Sequence, residues 1–464
     1  MVLITEEQVE TILTNALQQS QRNNQLVSYT KKIDPISPLH FFNQTKKLGK
    51  SRSFWASSDR ELVLVAVGNL VNITPTESRF SKTKKQWEQL LNQFIIHNPY
   101  SVSGTGVVAI GGMCFDPKKP KTPLWQHYND SDMAIPELLL TANSGKCYLT
   151  VNLKITKDTL LEELIAQIKQ WEEMLVHSDP EETLEPLTIE KKIEKEADYW
   201  KKSVVKATEE IRKGTAEKIV LAREMRLQFN RNVAIGNIIE NLLETQPNSY
   251  VFAFEKGQDC FLGATPERLV KVEKDLLLST CLAGTAPRGK TEEEDRNIAY
   301  HLLHDEKNLQ EHDFVVQMIR EAISDYCFDV DIPDGPVIYP LKNLQHLYTP
   351  VTAKLKRGYS IFDIVRELHP TPALGGSPKE ASMAFIREYE RMDRGWYGAP
   401  IGWVDSNEHG EFAVAIRSAL IQQKEASLFA GCGVVEHSNP DMEYEETNIK
   451  FMPMLHVFEQ GKGE

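Results

Sequence analysis

Three places in this chain combine residue types and spacings that could do chemistry. The first is Glu217-Lys-Ile-Val-Leu-Ala-Arg-Glu, where Lys218 opens an apolar strand. Such a lysine is a solvated sheet-edge residue, or, if desolvated or set beside another cation, a base with a lowered pKa. The second is Phe261-Leu-Gly-Ala-Thr-Pro-Glu-Arg-Leu-Val, with Glu267 at the tip between two strands. As a turn residue Glu267 needs nothing more. As a general acid it must keep its proton near neutral pH, which requires an apolar or anionic setting. The third runs from Gly431 to Lys450. A helix from Asp441 onward would put Glu443, Glu446 and Lys450 on one face and turn Glu445 away. Two carboxylates so placed fit a solvated acidic helix, or a hard cation such as Mg²⁺ that takes oxygen ligands. The preceding glycines could bring backbone N–H groups against a carboxylate. Two further stretches have shaped-loop punctuation: Leu282-Ala-Gly-Thr-Ala-Pro-Arg-Gly and Leu368-His-Pro-Thr-Pro-Ala-Leu-Gly-Gly-Ser-Pro, with Leu344-Gln-His-Leu between them.

The elements that must position these residues follow from periodicity. Helical spacing predicts helices over 5–25, 158–173, 191–213 and 234–245. Apolar runs such as Leu62-Val-Leu-Val-Ala-Val, Gly106-Val-Val-Ala-Ile-Gly-Gly, Lys218-Ile-Val-Leu-Ala-Arg and Ser249-Tyr-Val-Phe-Ala-Phe read as strands. Helix and strand mix irregularly, which favours an α+β fold with large, mainly antiparallel sheets over a doubly wound parallel one. The charged stretch 178–186 is the clearest linker, and it divides the chain into 1–190 and 191–464. No P-loop or GxGxxG follows a predicted strand, so nucleotide-binding classes lose support.

A net charge of −13 over 464 residues argues against nucleic-acid or anionic-membrane binding. The six cysteines form no CxxC pair, as expected of reduced buried thiols in a cytosolic protein. With neither a signal-peptide pattern nor an apolar stretch of membrane-spanning length, the expectation is a cytoplasmic protein. If its substrate is anionic, positive charge must be concentrated locally.

In this order and combination the segments resemble the chorismate-utilising enzyme family, which holds anthranilate synthase large subunits, aminodeoxychorismate synthases, salicylate synthases and isochorismate synthases. The resemblance rests on Lys218-Ile-Val-Leu-Ala-Arg, Thr265-Pro-Glu-Arg-Leu, Ala283-Gly-Thr-Ala-Pro-Arg-Gly, Glu311-His, His369-Pro-Thr-Pro-Ala-Leu-Gly-Gly, Tyr397-Gly-Ala-Pro-Ile-Gly, Ala415-Ile-Arg and Gly431 to Lys450. These cover the chain from about 195 onward, and 1–190 joins the same composite fold by position only. The resemblance implies two α/β subdomains with orthogonally packed sheets and helices outside.

It also implies roles. Lys218, where ammonia-using anthranilate synthases typically carry Gln, would take a proton from the water attacking C2 of chorismate. Glu267 would protonate the departing C4 hydroxyl. Ala283 stands where aminodeoxychorismate synthases place a nucleophilic Lys. Ala373 and Leu374 resemble isochorismate synthases, whereas salicylate synthases typically carry Thr at the position of Ala373. Glu311, Glu443 and Glu446 would hold Mg²⁺ together with a substrate carboxylate. Tyr397, Arg417 and Lys450, with backbone near Gly431 and Gly433, would hold the enolpyruvyl carboxylate, and Thr285 and His346 would line the ring. The implied activity is Mg²⁺-dependent, reversible conversion of chorismate to isochorismate for menaquinone or siderophore biosynthesis, by a monomer without a glutaminase subunit. The alternatives are a salicylate synthase and a non-catalytic chorismate- or metal-binding homologue.

Overall fold

In a computed structural model of the chain, residues 6–20, 24–176, 185–341 and 344–459 are described. Most of the proposed linker, 178–184, lies outside them. The fold is α+β, as expected, and is built on two large sheets. The first sheet orders its strands Ile189–Glu194, Lys218–Phe229, Glu425–Val434, Ser418–Gln422, Asp259–Thr265, Tyr250–Lys256, Arg52–Ala56, Leu62–Val67, Leu138–Asn143, Lys146–Ile155, Gln25–Ile33 and Phe94–His97. All its pairings are antiparallel except that of the last two strands. The second sheet runs Cys327–Asp331, Leu344–Leu355, Leu276–Pro287, Arg268–Glu273, Gly410–Val414, Pro400–Asp405, Val108–Met113, Ser131–Ile135 and Val71–Ile73.

Both sheets mix early and late strands. Tyr250–Lys256 pairs with Arg52–Ala56 in the first, and Pro400–Asp405 pairs with Val108–Met113 in the second. The two-residue period of a strand decides which side chains go where. In Tyr250–Lys256, Phe252 and Phe254 join a cluster shared with the second sheet, where they meet Trp396, Trp403 and Ile401. Val251 and Ala253, between them, join the opposite cluster with helix residues Ile238, Leu242 and Phe451. The sheets therefore share an aromatic core, and helices cover their other faces. On the second sheet these are Glu306–Ser324 and Ile361–Leu368, which bring Val315, Ile319, Ile361 and Val365 against Val270, Leu277 and Val351. No helix among the described residues is long and apolar enough to cross a membrane.

One predicted element differs. The helix expected over 191–213 begins only at Ala197, because Ile189–Glu194 is a strand paired with the end of Lys218–Phe229. Lysines and glutamates hide the strand there, since its place at the sheet edge asks little burial of its side chains.

Phe261 is fully buried and packs edge-on against Trp125 at 5.3 Å, with Phe252 at 5.5 Å. Phe261→Ala is expected to cost about 3–5 kcal/mol, measured as a lower urea midpoint at unchanged m-value. A loss under about 1 kcal/mol would mean that the core between the sheets is not close-packed.

Candidate active site

The site gathers where the chain passes from one sheet to the other. Glu267 lies in the passage from Asp259–Thr265 in the first sheet to Arg268–Glu273 in the second. Arg417 lies in the return passage between Gly410–Val414 and Ser418–Gln422. Backbone bonds tie the two passages together: Val414 N donates to Glu267 O at 2.9 Å, and Ala264 N to Arg417 O at 3.1 Å. Arg417 itself has φ +49°, an unusual conformation for a non-glycine residue.

Lys218 is held from several sides. Its strand pairs antiparallel with Glu425–Val434, setting Val220 opposite Gly433 and Ala222 opposite Gly431. A Cβ on Gly433 would lie 2.5 Å from Lys218 Cε, so the absent side chain is the room the lysine occupies. The Lys218 carbonyl accepts from Ser382 Oγ at 2.9 Å. On the strand's other edge, Lys218 and Ile219 pair with the two-residue strand Gly376–Ser377. From 220 to 222 a buried ion pair stands in for a neighbouring strand. Ala222 N donates to Glu390 Oε2 at 2.7 Å, and Arg394 Nη2 donates to Val220 O at 2.8 Å. Arg394 Nε binds Glu390 Oε1 at 2.7 Å, and Nη1 reaches Leu374 O at 2.8 Å. Both side chains are 2% exposed. The pair thus fastens the lysine's strand to the loop holding half-buried Ala373 and buried Leu374. Sequence reading did not single it out. The available signal was the i, i+4 spacing of two charged residues in the short stretch between a helix end and Gly395-Trp396-Tyr397.

Around Glu267 the electrostatics are uneven. Burial pushes its carboxyl up to about 7, while Arg417 and Lys450 pull the other way. Burial also holds the part-buried Arg417 below its usual range, and Tyr397 and Glu267 oppose that shift. The Arg417 guanidinium has no hydrogen bond or ion pair among the described residues. Tyr397 is buried, stacks on Phe429 at 5.4 Å, and is held above the ordinary phenol range by burial. A Cβ at Gly431 would come 3.3 Å from its hydroxyl, so glycine leaves that surface open. Lys450 Nζ donates to Gly431 O at 3.0 Å and binds Glu446 Oε1 at 2.6 Å. Thr285 and His346 face each other across two paired strands, Oγ1 to Nδ1 at 2.9 Å, beside an irregularity at Gly284. Burial first, then Arg417, lowers His346 to about 4, so the ring is neutral at pH 7. Its Nε2 is buried and has no partner.

The three carboxylates expected to hold a metal lie on two helices. Glu311 projects from Glu306–Ser324 and receives Lys218 Nζ at 2.5 Å. His312, the next residue, is buried and anchors that helix through Nε2 to Thr349 Oγ1 at 2.7 Å and Nδ1 to Ala283 O at 3.1 Å. Glu443 and Glu446 lie on Pro440–Glu459, the helix predicted from their spacing. Glu443 Oε1 accepts from Ser438 Oγ at 2.6 Å, whereas its Oε2 is buried without a partner. No group of three or more His, Cys, Asp or Glu side chains among the described residues converges closely enough to hold a metal by itself. The donor chemistry nevertheless suits a hard cation: all three groups offer oxygen, and one oxygen is buried and unsatisfied. His369, in the Pro-rich loop, is buried, bonds Phe115 O at 2.9 Å and is kept neutral by burial, a structural role.

Comparison with known proteins matches residues 10–459 to the family described as Chorismate binding enzyme. The chain is 42% identical over 438 residues to isochorismate synthase MenF of Bacillus subtilis (strain 168), covering 93% of both chains. It is 32% identical over 435 residues to the salicylate biosynthesis isochorismate synthase of Pseudomonas aeruginosa, covering 92% of this chain and 89% of that protein. Among solved structures, the menaquinone-specific isochorismate synthase MenF from Escherichia coli superposes with a TM-score of 0.78 at 24% identity, covering 97% of this chain and 100% of that one. Anthranilate synthase component I from Streptococcus pneumoniae gives 0.71 at 22%, covering 85% and 92%. At these identities the two structural likenesses establish the fold alone.

The raised Glu267 carboxyl has a consequence for stability. Between about pH 4.5 and 7 the native state holds a proton that the unfolded chain has lost, so this group's contribution falls as pH rises through that window. Glu267→Gln should match the parent below pH 4.5 and exceed it at pH 8 by roughly 3 kcal/mol, read from urea unfolding at both pH values. Parallel stability curves for the two proteins would contradict the assigned environment.

Proposed function

The chain belongs to the family of chorismate-binding enzymes, and on that premise we propose that it is an isochorismate synthase in which Lys218 is the base and Glu267 the acid. The observation that carries the pairing of roles is the protonation of Glu267. A carboxyl raised to about 7 keeps a proton to give at neutral pH, unlike an ordinary solvated glutamate. Lys218 lies over Gly433, on the strand fixed by the Glu390–Arg394 pair, and takes a proton from the water that attacks C2. Glu267 gives its proton to the C4 hydroxyl, which leaves as water while both ring double bonds shift, C1=C2 to C1=C6 and C5=C6 to C4=C5. One water enters and one leaves, so the reaction is an isomerisation; because the two isomers differ little in energy, it is reversible.

Substrate charge is met by separate groups. Arg417, without a hydrogen-bond or ion-pair partner among the described residues, and Tyr397 and Lys450 beside the open surface of Gly431 form the seat for the enolpyruvyl carboxylate. Thr285 and neutral His346 line the ring. Glu311, Glu443 and Glu446 would hold Mg²⁺, which when bound supplies positive charge opposite the ring carboxylate. Lys218 and Lys450 neutralise Glu311 and Glu446 in the metal-free chain. Ala373 stands where salicylate synthases typically carry Thr, which supports isochorismate as the released product. We place the enzyme in menaquinone or siderophore biosynthesis, as a cytoplasmic monomer that uses water and therefore needs no glutaminase subunit.

Two measurements test this reading. Incubation with chorismate and Mg²⁺ is expected to accumulate isochorismate, and chelation should abolish turnover; salicylate plus pyruvate as main products would replace the assignment, and no turnover would reduce the chain to a binding homologue. Lys218→Ala is expected to lower kcat by about 10²–10⁴-fold. The pH–rate profile should fall above about pH 7, as Glu267 loses its proton. A rate that stays flat to pH 9 would remove Glu267 from the acid role.

A further inference from the structure

The turn from Glu425–Val434 to Pro440–Glu459 joins two halves of the site. The strand before it supplies Gly433, which lies against Lys218, and the helix after it carries Glu443, Glu446 and Lys450. Within the turn, two neighbouring polar residues have different tasks. Asn439 caps the helix: its Oδ1 accepts from Asp441 N at 2.9 Å and from Met442 N at 3.2 Å, and its carbonyl accepts from Glu443 N at 2.9 Å. The cap therefore does not call on Ser438.

The Ser438 hydroxyl is committed elsewhere. Its Oγ accepts from Val435 N at 3.0 Å and lies 2.6 Å from Glu443 Oε1. A hydroxyl has one proton to give and a carboxylate can only accept, so the second bond runs from Ser438 to Glu443. Its length is that of a charge-assisted hydrogen bond. One oxygen of Glu443 is thereby tied to the turn that leaves the strand beside Lys218.

The three carboxylates assigned to Mg²⁺ differ in what a cation must displace. Glu311 is paired with Lys218 and Glu446 with Lys450, and the two carboxylate side chains are 43% and 49% exposed. Binding at either competes with an ammonium group. Glu443 has no cation partner among the described residues: Oε1 takes the neutral hydroxyl, and Oε2 is buried without a hydrogen bond. The Cys432 thiol beside it is held above its ordinary range by burial and then by Glu443 itself, so it stays neutral and brings no positive charge. A carboxylate already held by a neutral donor keeps its charge for a cation and has less freedom to lose on binding.

We propose that Ser438 is a positioning residue for the metal, orienting the one carboxylate of the three that has no ammonium to release. The proposal rests on the assignment of Glu311, Glu443 and Glu446 to Mg²⁺. Lys218 and Lys450 give up Glu311 and Glu446 as the cation binds, whereas Ser438 keeps Glu443.

The test titrates the full chain with Mn²⁺, with and without chorismate, and reads the free ion by electron paramagnetic resonance; Mg²⁺ is then added to displace it. One displaceable site per chain is expected. Ser438→Ala should raise the dissociation constant about tenfold. Ser438→Thr, which keeps the hydroxyl, should bind like the parent, and Ser438→Cys, a weaker donor, should fall between the two. Losing the Val435 bond lowers the urea midpoint of Ser438→Ala whatever the hydroxyl does for metal, so affinity, and not stability, decides. If Ser438→Ala and Ser438→Cys bind Mn²⁺ as tightly as the parent while Glu443→Ala does not, the role of Ser438 is overturned and the metal assignment stands. Equal weakening in Ser438→Thr and Ser438→Ala overturns it too, because the turn and not the hydroxyl would then be responsible. A parent that binds no Mn²⁺ in either condition, or a Glu443→Ala variant that binds like the parent, overturns the metal assignment and the proposal with it.

Discussion

One buried ion pair fixes the outer edge of the strand that Lys218 opens. A strand inside a sheet satisfies its edge groups with a neighbour, and a buried edge without one leaves N–H and C=O groups that cost free energy. Here Glu390 accepts from Ala222 and Arg394 donates to Val220, so two side chains perform the hydrogen bonding of a missing strand. Taking two charges out of water is expensive, and such a pair adds little net stability against an apolar substitute. Its contribution is geometric. A strand in that place would have closed the edge, whereas side chains bind the backbone at two points and also reach Leu374. The course of the lysine's strand and the seating of the loop at Leu374 both follow from this choice.

The electrostatic problem of an acidic chain binding an anion is met at the crossing between the sheets. There the desolvation of Glu267 outweighs the pull of Arg417 and Lys450, because the carboxyl is enclosed. The same enclosure keeps His346 neutral even though a charged imidazole would bring one more cation. That neutrality leaves Arg417 and Lys450 as the cations of the proposed carboxylate seat. Farther out, lysines and glutamates alternate. Lys218 meets Glu311 and Lys450 meets Glu446, so each acidic group has a counter-charge on a neighbouring element or on the next turn of its own helix. Of these three carboxylates Glu443 differs: among the described residues its buried Oε2 has no hydrogen-bond partner, which is the feature that most supports the proposed metal role.

What could be read from the sequence separates along physical lines. Strand alternation in Ser249-Tyr-Val-Phe-Ala-Phe and the helical spacing of Glu443, Glu446 and Lys450 are local signals, and the structure has both elements. The strand at Ile189–Glu194 left no such mark, since it sits at an edge with few buried side chains. Glu390 and Arg394 were hidden for a different reason. Their function is to bond the backbone of residues about 170 positions earlier, and no local pattern encodes a partner that distant. The raised pKa of Glu267 was expected only as a condition for acid catalysis, because burial comes from two sheet passages meeting, not from its neighbours in sequence.

The same reasoning bears on which parts of the site can vary. Gly433 and Gly376 are constrained by close approach: a Cβ on either would press on Lys218, at Cε 2.5 Å away in one case and at its carbonyl oxygen 2.2 Å away in the other. Gly431 is less constrained by packing, with the nearest atom 3.1 Å from an added Cβ, yet that Cβ would stand between Tyr397 and the space before Lys450. The first two glycines therefore serve the lysine, and the third keeps the surface beside the Tyr397 hydroxyl clear. A methyl group at Gly431 would press on Leu221 O at 3.1 Å and on the Tyr397 hydroxyl at 3.3 Å, whereas one at Gly376, at φ +104°, would collide with the Lys218 carbonyl and strain the backbone itself. Gly431 and Gly433 are thus under different constraints, although the segment containing them reads in sequence as a single motif.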